Sequence, residues 1–460
     1  MSMAKQYHIT DFGASVHASD NTTAIQAAID SCFREGGGAV VVPAGVFLTG
    51  DIRLRSHVTL YLTANAVLRG IRDPRAYYHY QSDTVEPLSP DWYAGNTPDM
   101  TEKQTFHDGK IPPGCRWCHG LIRAIHAEDV AIVGEKGAVI DGADCYDAIG
   151  EEYYRGPHAI SMEDCQNVYL SGYTVKNSAN WAHAIFRSAN IHVRSVTVLA
   201  GHDGVHFTAC RNIAVEDCAF YTGDDCVAGL DLVNVHVKNC VLNTACSAFR
   251  MGGTNVYIEN CHMYGPAAYL FRGSLTPEEK AASMPSLANS DKITRDAAGH
   301  RFNMLSAYTY YADFTSDIPV APGNVVLERC RIENADRLVH YNYSGNEPWQ
   351  KNKPLHSLRL SGIHATGVTL PLNVYGDREN PIRMEITDSE IHFRDEVEPD
   401  AFCHLCHHDW FRLQNTTITY KGNGALVKTW SDKGEIRMED LTAPSGEIVK
   451  AEEPFFAQAI

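Results

Sequence analysis

Four aspartates and four histidines fall between residues 183 and 225. Asp224 and Asp225 are adjacent in YTGDDCVAG (221–229), a run that otherwise reads as buried strand. Neighbours on a strand point to opposite faces, and an unpaired buried charge is costly. Asp203, in HDG (202–204), precedes Asp225 by 22 residues, with His183, His202 and His206 nearby. Carboxylates brought together repel unless a proton, a cation or a positive side chain lies between them. A solvated acidic turn ending each strand would account for single acids. The clustering of titratable types points instead to a site.

What must position these groups is a repeat. NVYLSGY (Asn167), NIHVRSV (Asn190), NIAVEDC (Asn212), NVHVKNC (Asn234) and NVYIENC (Asn255) follow one another at spacings of 23, 22, 22 and 21. NVVLERC (Asn324) has the same form, and HSLRLSG (356–362), IRMEITDSEI (382–391) and FRLQNTTI (411–418) read as degenerate copies. Short alternating units with Asn at the turns, and no leucine pattern or helix per unit, predict an all-β solenoid, the parallel β-helix.

Counting from each repeat Asn assigns columns. Cys218, Cys240, Cys261 and Cys330 all stand at position 6, a ladder of small buried thiols. Position 12 holds His202, Asp224 and Cys246; position 13 holds Asp203 and Asp225. The latter two would lie about 4.8 Å apart on adjacent coils. Position 15 (Ala182, Val205, Val227, Phe249, Leu270) is the core row, and position 16 places His183, His206 and Arg250 together on the exterior.

DNTTAIQAAIDSCFREGGG (20–38) predicts a helix capped by Asp20, Asn21 or Thr22, with Ile25, Ala28, Ile29 and Cys32 on one face. It would cover the open end of the solenoid. Residues 71–128 and 265–323 break the repeat, and no linker splits the chain, so a single domain over 1–460 with two insertions is expected. The net charge of −17 argues against nucleic acid or anionic membrane as partners. The N-terminal MSMAKQYHITDFGAS has no signal-like apolar core, so a cytoplasmic chain with reduced thiols is expected. CRWCH (115–119) and CHLCH (403–407) read as half-buried thiols rather than two halves of a zinc site, and neither metal nor cofactor is expected.

GDDCVA (223–228), with HDG 21 residues earlier, resembles the polygalacturonase family, glycoside hydrolase family 28. DFGA (11–14) with the helix, VAIVGEKGAVIDG (130–142), NVYLSGYTVKNSANW (167–181) and KPLHSLRLSGIHATG (353–367) resemble it too. The resemblance implies a right-handed parallel β-helix that hydrolyses glycosidic bonds with inversion. Asp224 would be the acid, and Asp203 and Asp225 would activate water, because one carboxyl must keep its proton while the others stay ionised. Four departures stand out. The family's Asn-Thr-Asp-Gly reads Gly201-His202-Asp203-Gly204, Cys246 stands at the family's His, Arg272 is the single basic residue where Arg-Ile-Lys is expected, and CVAGLDL lacks the family's Lys. The missing cations are those that hold a substrate carboxylate, which points away from plain polygalacturonan. Either His183, His202, His206 and Arg250 take over local hydrogen bonding, or the sugar at the cleavage point is neutral; Trp181 could stack on a sugar or serve in packing. Insertions walling one end of the cleft would make action exo on oligosaccharides. A lyase or epimerase, with Arg250 as base, and a non-catalytic sugar-binding solenoid are the alternatives.

Overall fold

The computed structural model describes residues 5–77, 119–147, 155–271, 303–313, 316–345, 347–430 and 433–451. The chain forms two compact units, one comprising Met1–Asp224 with Tyr269–Ala298 and the other Asp225–Ala268 with Gly299–Ile460. Each is built of right-handed parallel β-helix coils, every strand pairing in parallel with its counterpart one coil away.

The repeat asparagines explain themselves. Asn167, Asn190, Asn212, Asn234, Asn255 and Asn324 all have φ between 53° and 59°. Asn tolerates this left-handed turn better than most residues. In the first unit Asn212 Nδ2 donates to Asn190 Oδ1 (3.0 Å) and Asn190 Nδ2 to Asn167 Oδ1 (2.9 Å). In the second, Asn324 Nδ2 donates to Asn255 Oδ1 (2.9 Å) and Asn255 Nδ2 to Asn234 Oδ1 (3.0 Å). One residue type thus serves the turn and stitches successive turns together.

The thiol column has an equally local cause. Cys218, Cys240, Cys261 and Cys330 are buried, and each Sγ donates to the carbonyl two residues earlier, at 3.1 to 3.4 Å. Ser389 and Thr416 make the same bond through hydroxyls (2.7 and 2.8 Å). What the turn requires is a small buried donor. The described cysteines form no disulfide, and the Cys403 and Cys406 thiols are both pushed up by burial. These two lie three apart on the strand Ala401–Cys406 and so face opposite ways. Cys115 and Cys118 lie outside the described residues.

The helix Thr22–Arg34 buries Ile25, Ala28, Ile29 and Cys32 against the strands Gln6–His8, Gly38–Val42 and Ile52–Leu54. Asp20 Oδ1 takes the Thr22 N–H (2.8 Å), so the cap comes from Asp20. The spans expected as insertions contain solenoid strands at their edges. Gly120–Ile125 pairs with Ile52–Leu54, and Met304–Tyr310 pairs with Ser247–Glu259. Most of the remainder, including the helix expected at LTPEEKAASM, lies outside the described residues. Among the described residues no helix is long and apolar enough to cross a membrane.

Register decides which side chains share a row. In the first unit Ile52, Ile122, Ile160 and His183 align in the core, and Arg53, Arg123, Ser161, Ala184 and His206 align on the opposite face. In the second unit Val227, Phe249, Tyr308 and Val339 form the core row. Leu270, expected in that row, is half-buried and outside any strand; Tyr308 takes its place because the chain departs from the repeat before returning. The outward row beside it reads Ala228, Arg250, Thr309, His340, Asn373, His404, Lys428.

Candidate active site

In the first unit, Asp203 lies in the turn 201–204 that leads into the strand Val205–Thr208. It is 4% exposed, and its Oδ2 lies 3.0 Å from Nδ1 of His206 on that strand. The other side of the arrangement is aromatic, since the Trp181 indole stacks on the His206 ring at 3.8 Å with 6° between planes. Trp181 is 6% exposed and also has the His158 ring at 5.4 Å. It therefore fixes His206 rather than offering a free face to a sugar, which corrects the expectation of a stacking platform.

Asp224, 9% exposed, ends the first unit. Gly223 before it is required by close approach, because a Cβ there would meet the Leu270 carbonyl at 2.1 Å. Thr222 Oγ1 donates to the Asp224 carbonyl (2.7 Å). The carboxylate faces Arg155, with Nη2 3.5 Å from Oδ2. Nη1 of the same buried guanidinium donates to Asn180 Oδ1 (3.1 Å) and to His202 Nδ1 (3.3 Å). A guanidinium only donates, so His202 Nδ1 is an acceptor and its proton sits on Nε2. Arg155 and Asn180 had no place in the column count, because both lie on irregular stretches that carry no repeat signal.

His183 is a correction. It was expected on the exterior beside His206, but it is fully buried in the core row. Tyr173 O–H donates to its Nε2 (3.0 Å), and its Nδ1–H donates to the Gly204 carbonyl (2.9 Å). Burial pushes the imidazole down to about 4, only partly offset by the Gly204 bond. The reason is one residue of turn length. Eight positions separate Lys176 from Ala184, but seven separate their register partners Leu199 and His206. His183 supports the turn that carries Asp203 without presenting itself to a ligand.

In the second unit, Asp225 is 2% exposed. Its Oδ1 accepts the Ser247 N–H (3.0 Å), and its Oδ2 lies 3.6 Å from Arg250 Nη1. Arg250 also lies over the Tyr311 ring at 4.4 Å. Burial works most strongly against the Arg250 charge, but Asp225, Tyr311, Cys246 and Glu347 together more than offset it and hold the guanidinium above its ordinary range. Ser247 Oγ donates to Thr309 Oγ1 (3.1 Å), which also bonds Ser306 Oγ (2.5 Å). Cys246 is half-buried, its N–H bonded to Thr244 Oγ1 (2.9 Å). Arg272 lies outside the described residues.

Residues 105–248 match the model of "Glycosyl hydrolases family 28". Asp203, Asp224 and Asp225 all lie within that stretch. Over that stretch the chain is similar to family 28. Two relatives match at higher identity than the fold neighbours do. A probable polygalacturonase of Vitis vinifera is 30% identical over 220 residues, covering 45% of this chain and 40% of its own. An exo-poly-alpha-D-galacturonosidase of Dickeya chrysanthemi is 32% identical over 259 residues, covering 48% and 41%. The chain thus spans about two fifths of the length of these curated relatives. The fold is similar to that of the Yersinia enterocolitica family 28 exopolygalacturonase (TM-score 0.50, 14% identity, 98% of this chain and 79% of that one). It is similar to the Erwinia carotovora polygalacturonase to the same degree (TM-score 0.50, 14% identity, 98% and 96%).

Proposed function

We propose that the protein hydrolyses glycosidic bonds in pectin-type oligosaccharides with inversion, acting from a chain end, and that the sugar at the cleavage point is neutral. One observation carries the reading: Asp203, Asp224 and Asp225 all fall in the stretch that matches family 28, and all three are buried with polar partners. A buried acid without catalytic use would be a net cost to the fold.

In this mechanism Asp224 gives its proton to the leaving oxygen. Asp203 and Asp225 take a proton from water on the opposite side of the sugar, which requires an acid–base separation of about 6.5–9.5 Å. His206 orients the Asp203 carboxylate, while Ser247 N–H and Arg250 orient that of Asp225. A neutral sugar at the cleavage point follows from the absence of Lys in CVAGLDL, and from Arg155 being shared among Asp224, Asn180 and His202. Chain-end action is supported by the similarity to the Dickeya exo-poly-alpha-D-galacturonosidase.

The test is a panel of defined plant-wall oligosaccharides, with the anomer of the first product followed by NMR. An inverted anomer released from one chain end is expected. A retained anomer, or an unsaturated ultraviolet-absorbing product, would overturn the mechanism. Random internal cuts in long polymer would overturn the exo reading.

A further inference from the structure

The ring pair beside Asp203 has an uncommon geometry. The Trp181 indole and the His206 imidazole lie 3.8 Å apart between centroids, with 6° between planes. That is close to face to face. Two neutral aromatic rings disfavour this arrangement because both faces are negative; they slide or tilt, with centroids about 4.5–7 Å apart. The other histidine contacts described in the first unit do so. His158 meets Trp181 at 5.4 Å and 32°, Tyr169 meets His192 at 5.5 Å and 70°, Tyr173 meets His183 at 6.0 Å and 36°, and Tyr146 meets His202 at 6.1 Å and 60°. A positive ring over a negative face is attracted instead, and Trp offers the best such face.

The carboxylate points the same way. Asp203 Oδ2 lies 3.0 Å from His206 Nδ1, and both residues are buried. A buried carboxylate is costly unless positive charge compensates it. Of the titratable groups around the pair, His183 donates to the Gly204 carbonyl in the Asp203 turn and is held neutral by burial, at about 4. His202 accepts from Arg155 at Nδ1 and is neutral for that reason, while Arg155 faces Asp224. His158 stands beside Trp181, and Ala184, Ser161 and Arg123 follow His206 along its row. Burial alone leaves a ring neutral, as at His183; at His206 a carboxylate and an indole face oppose it.

We propose that Trp181 is a positioning residue that keeps His206 as an imidazolium, and that this charge keeps Asp203 ionised so that it can take a proton from water. The proposal deepens the hydrolase reading and rests on it. The imidazolium donates Nδ1–H to Asp203 Oδ2, and each partner favours the charged form of the other. The indole favours the charged ring as well, and by stacking it holds the ring plane that aims Nδ1 at the carboxylate. Trp181 thus acts on the reaction through His206 and Asp203 without touching a sugar.

The test is an NMR titration of the full chain labelled at its histidine rings, with the His206 signal assigned by its loss in His206→Gln. The ring should stay charged to about pH 8, against about 6.5 for an ordinary imidazole. Trp181→Leu should lower its proton affinity about tenfold, and Trp181→Phe, which keeps a ring face, should restore part of that. Turnover of oligosaccharide is followed against pH in parallel. Trp181→Leu should move the acid limb of kcat/KM upward in pH, because Asp203 takes up a proton sooner, with little change in KM at the optimum. A rise in KM at every pH with an unmoved acid limb is the mark of a sugar platform and would overturn the proposal. So would a wild-type His206 that is neutral at pH 7, or a titration indifferent to Trp181→Leu. Melting curves report whether the variants fold, and should Trp181→Leu not fold, the wild-type and Trp181→Phe titrations decide. A charged, Trp181-dependent His206 in a chain that turns over no oligosaccharide would instead overturn the hydrolase reading and leave the charged ring pair standing.

Discussion

His206 in the first unit and His340 in the second are both buried imidazoles on outward rows, and their surroundings are opposite. His206 meets the Asp203 carboxylate at 3.0 Å and lies on Trp181. His340 meets the Arg337 guanidinium and the Asn373 amide, with no carboxylate bonded to it. The first arrangement carries acids whose partners are already in place. The second carries donors whose partners are missing. A fold with one repeated backbone thus sets a carboxylate-paired imidazole in one place and a donor-paired imidazole in another by changing only what surrounds the outward row.

The largest test of that contrast is Asp224→Asn. Loss of general acid catalysis should lower turnover by about 10²–10⁴-fold with an unchanged melting curve. Turnover close to wild type would remove Asp224 from the chemistry and make the first unit's acids structural. Next is Arg155→Leu, which strands a buried carboxylate together with Asn180 and His202. Breaking a buried pair in this way costs about 3–5 kcal/mol, measurable as a fall in urea midpoint, and Arg155→Lys should recover part of it. Stability indifferent to Arg155 would show that Asp224 does not depend on it.

Acid should then weaken both regions. His183 and His340 are held by burial at about 4 and about 3 in the folded chain. The unfolded chain takes up these protons first, near pH 6.5. Their stabilising contribution is therefore complete above about pH 6.5 and is lost as pH falls towards 4 and 3. For His183 the full effect is roughly 3 kcal/mol. Melting temperature followed from pH 7 to pH 4 should fall, and His183→Gln should flatten the slope. A flat profile in the wild type would mean that these rings are not neutral in the folded state. The smallest effect is expected at the thiol column. Cys261→Ser should cost less than about 1 kcal/mol by urea melting, because Ser389 and Thr416 already make the same bond. Cys261→Val, which loses the donor, should cost more.

Much of the architecture was legible because it repeats. Asparagine at a left-handed turn, a small donor six residues later and an apolar alternation recur wherever a coil does, so a single chain displays its own period. The helix Thr22–Arg34 was equally readable, since its buried face is a local pattern. The adjacent acids stood out because buried strand has no use for them.

Tertiary structure decided what periodic counting cannot. One extra residue in the turn before His183 moved that side chain from the surface to the core, since a single-residue slip exchanges the faces of a strand. Arg155 reaches Asp224 from a segment without repeat identity, and Trp181, read as a possible platform for a sugar, is stacked on the His206 ring instead. The open donors of Arg337 and His340 exist only as a relation between side chains, and no spacing of letters records whether a hydrogen bond has found its partner.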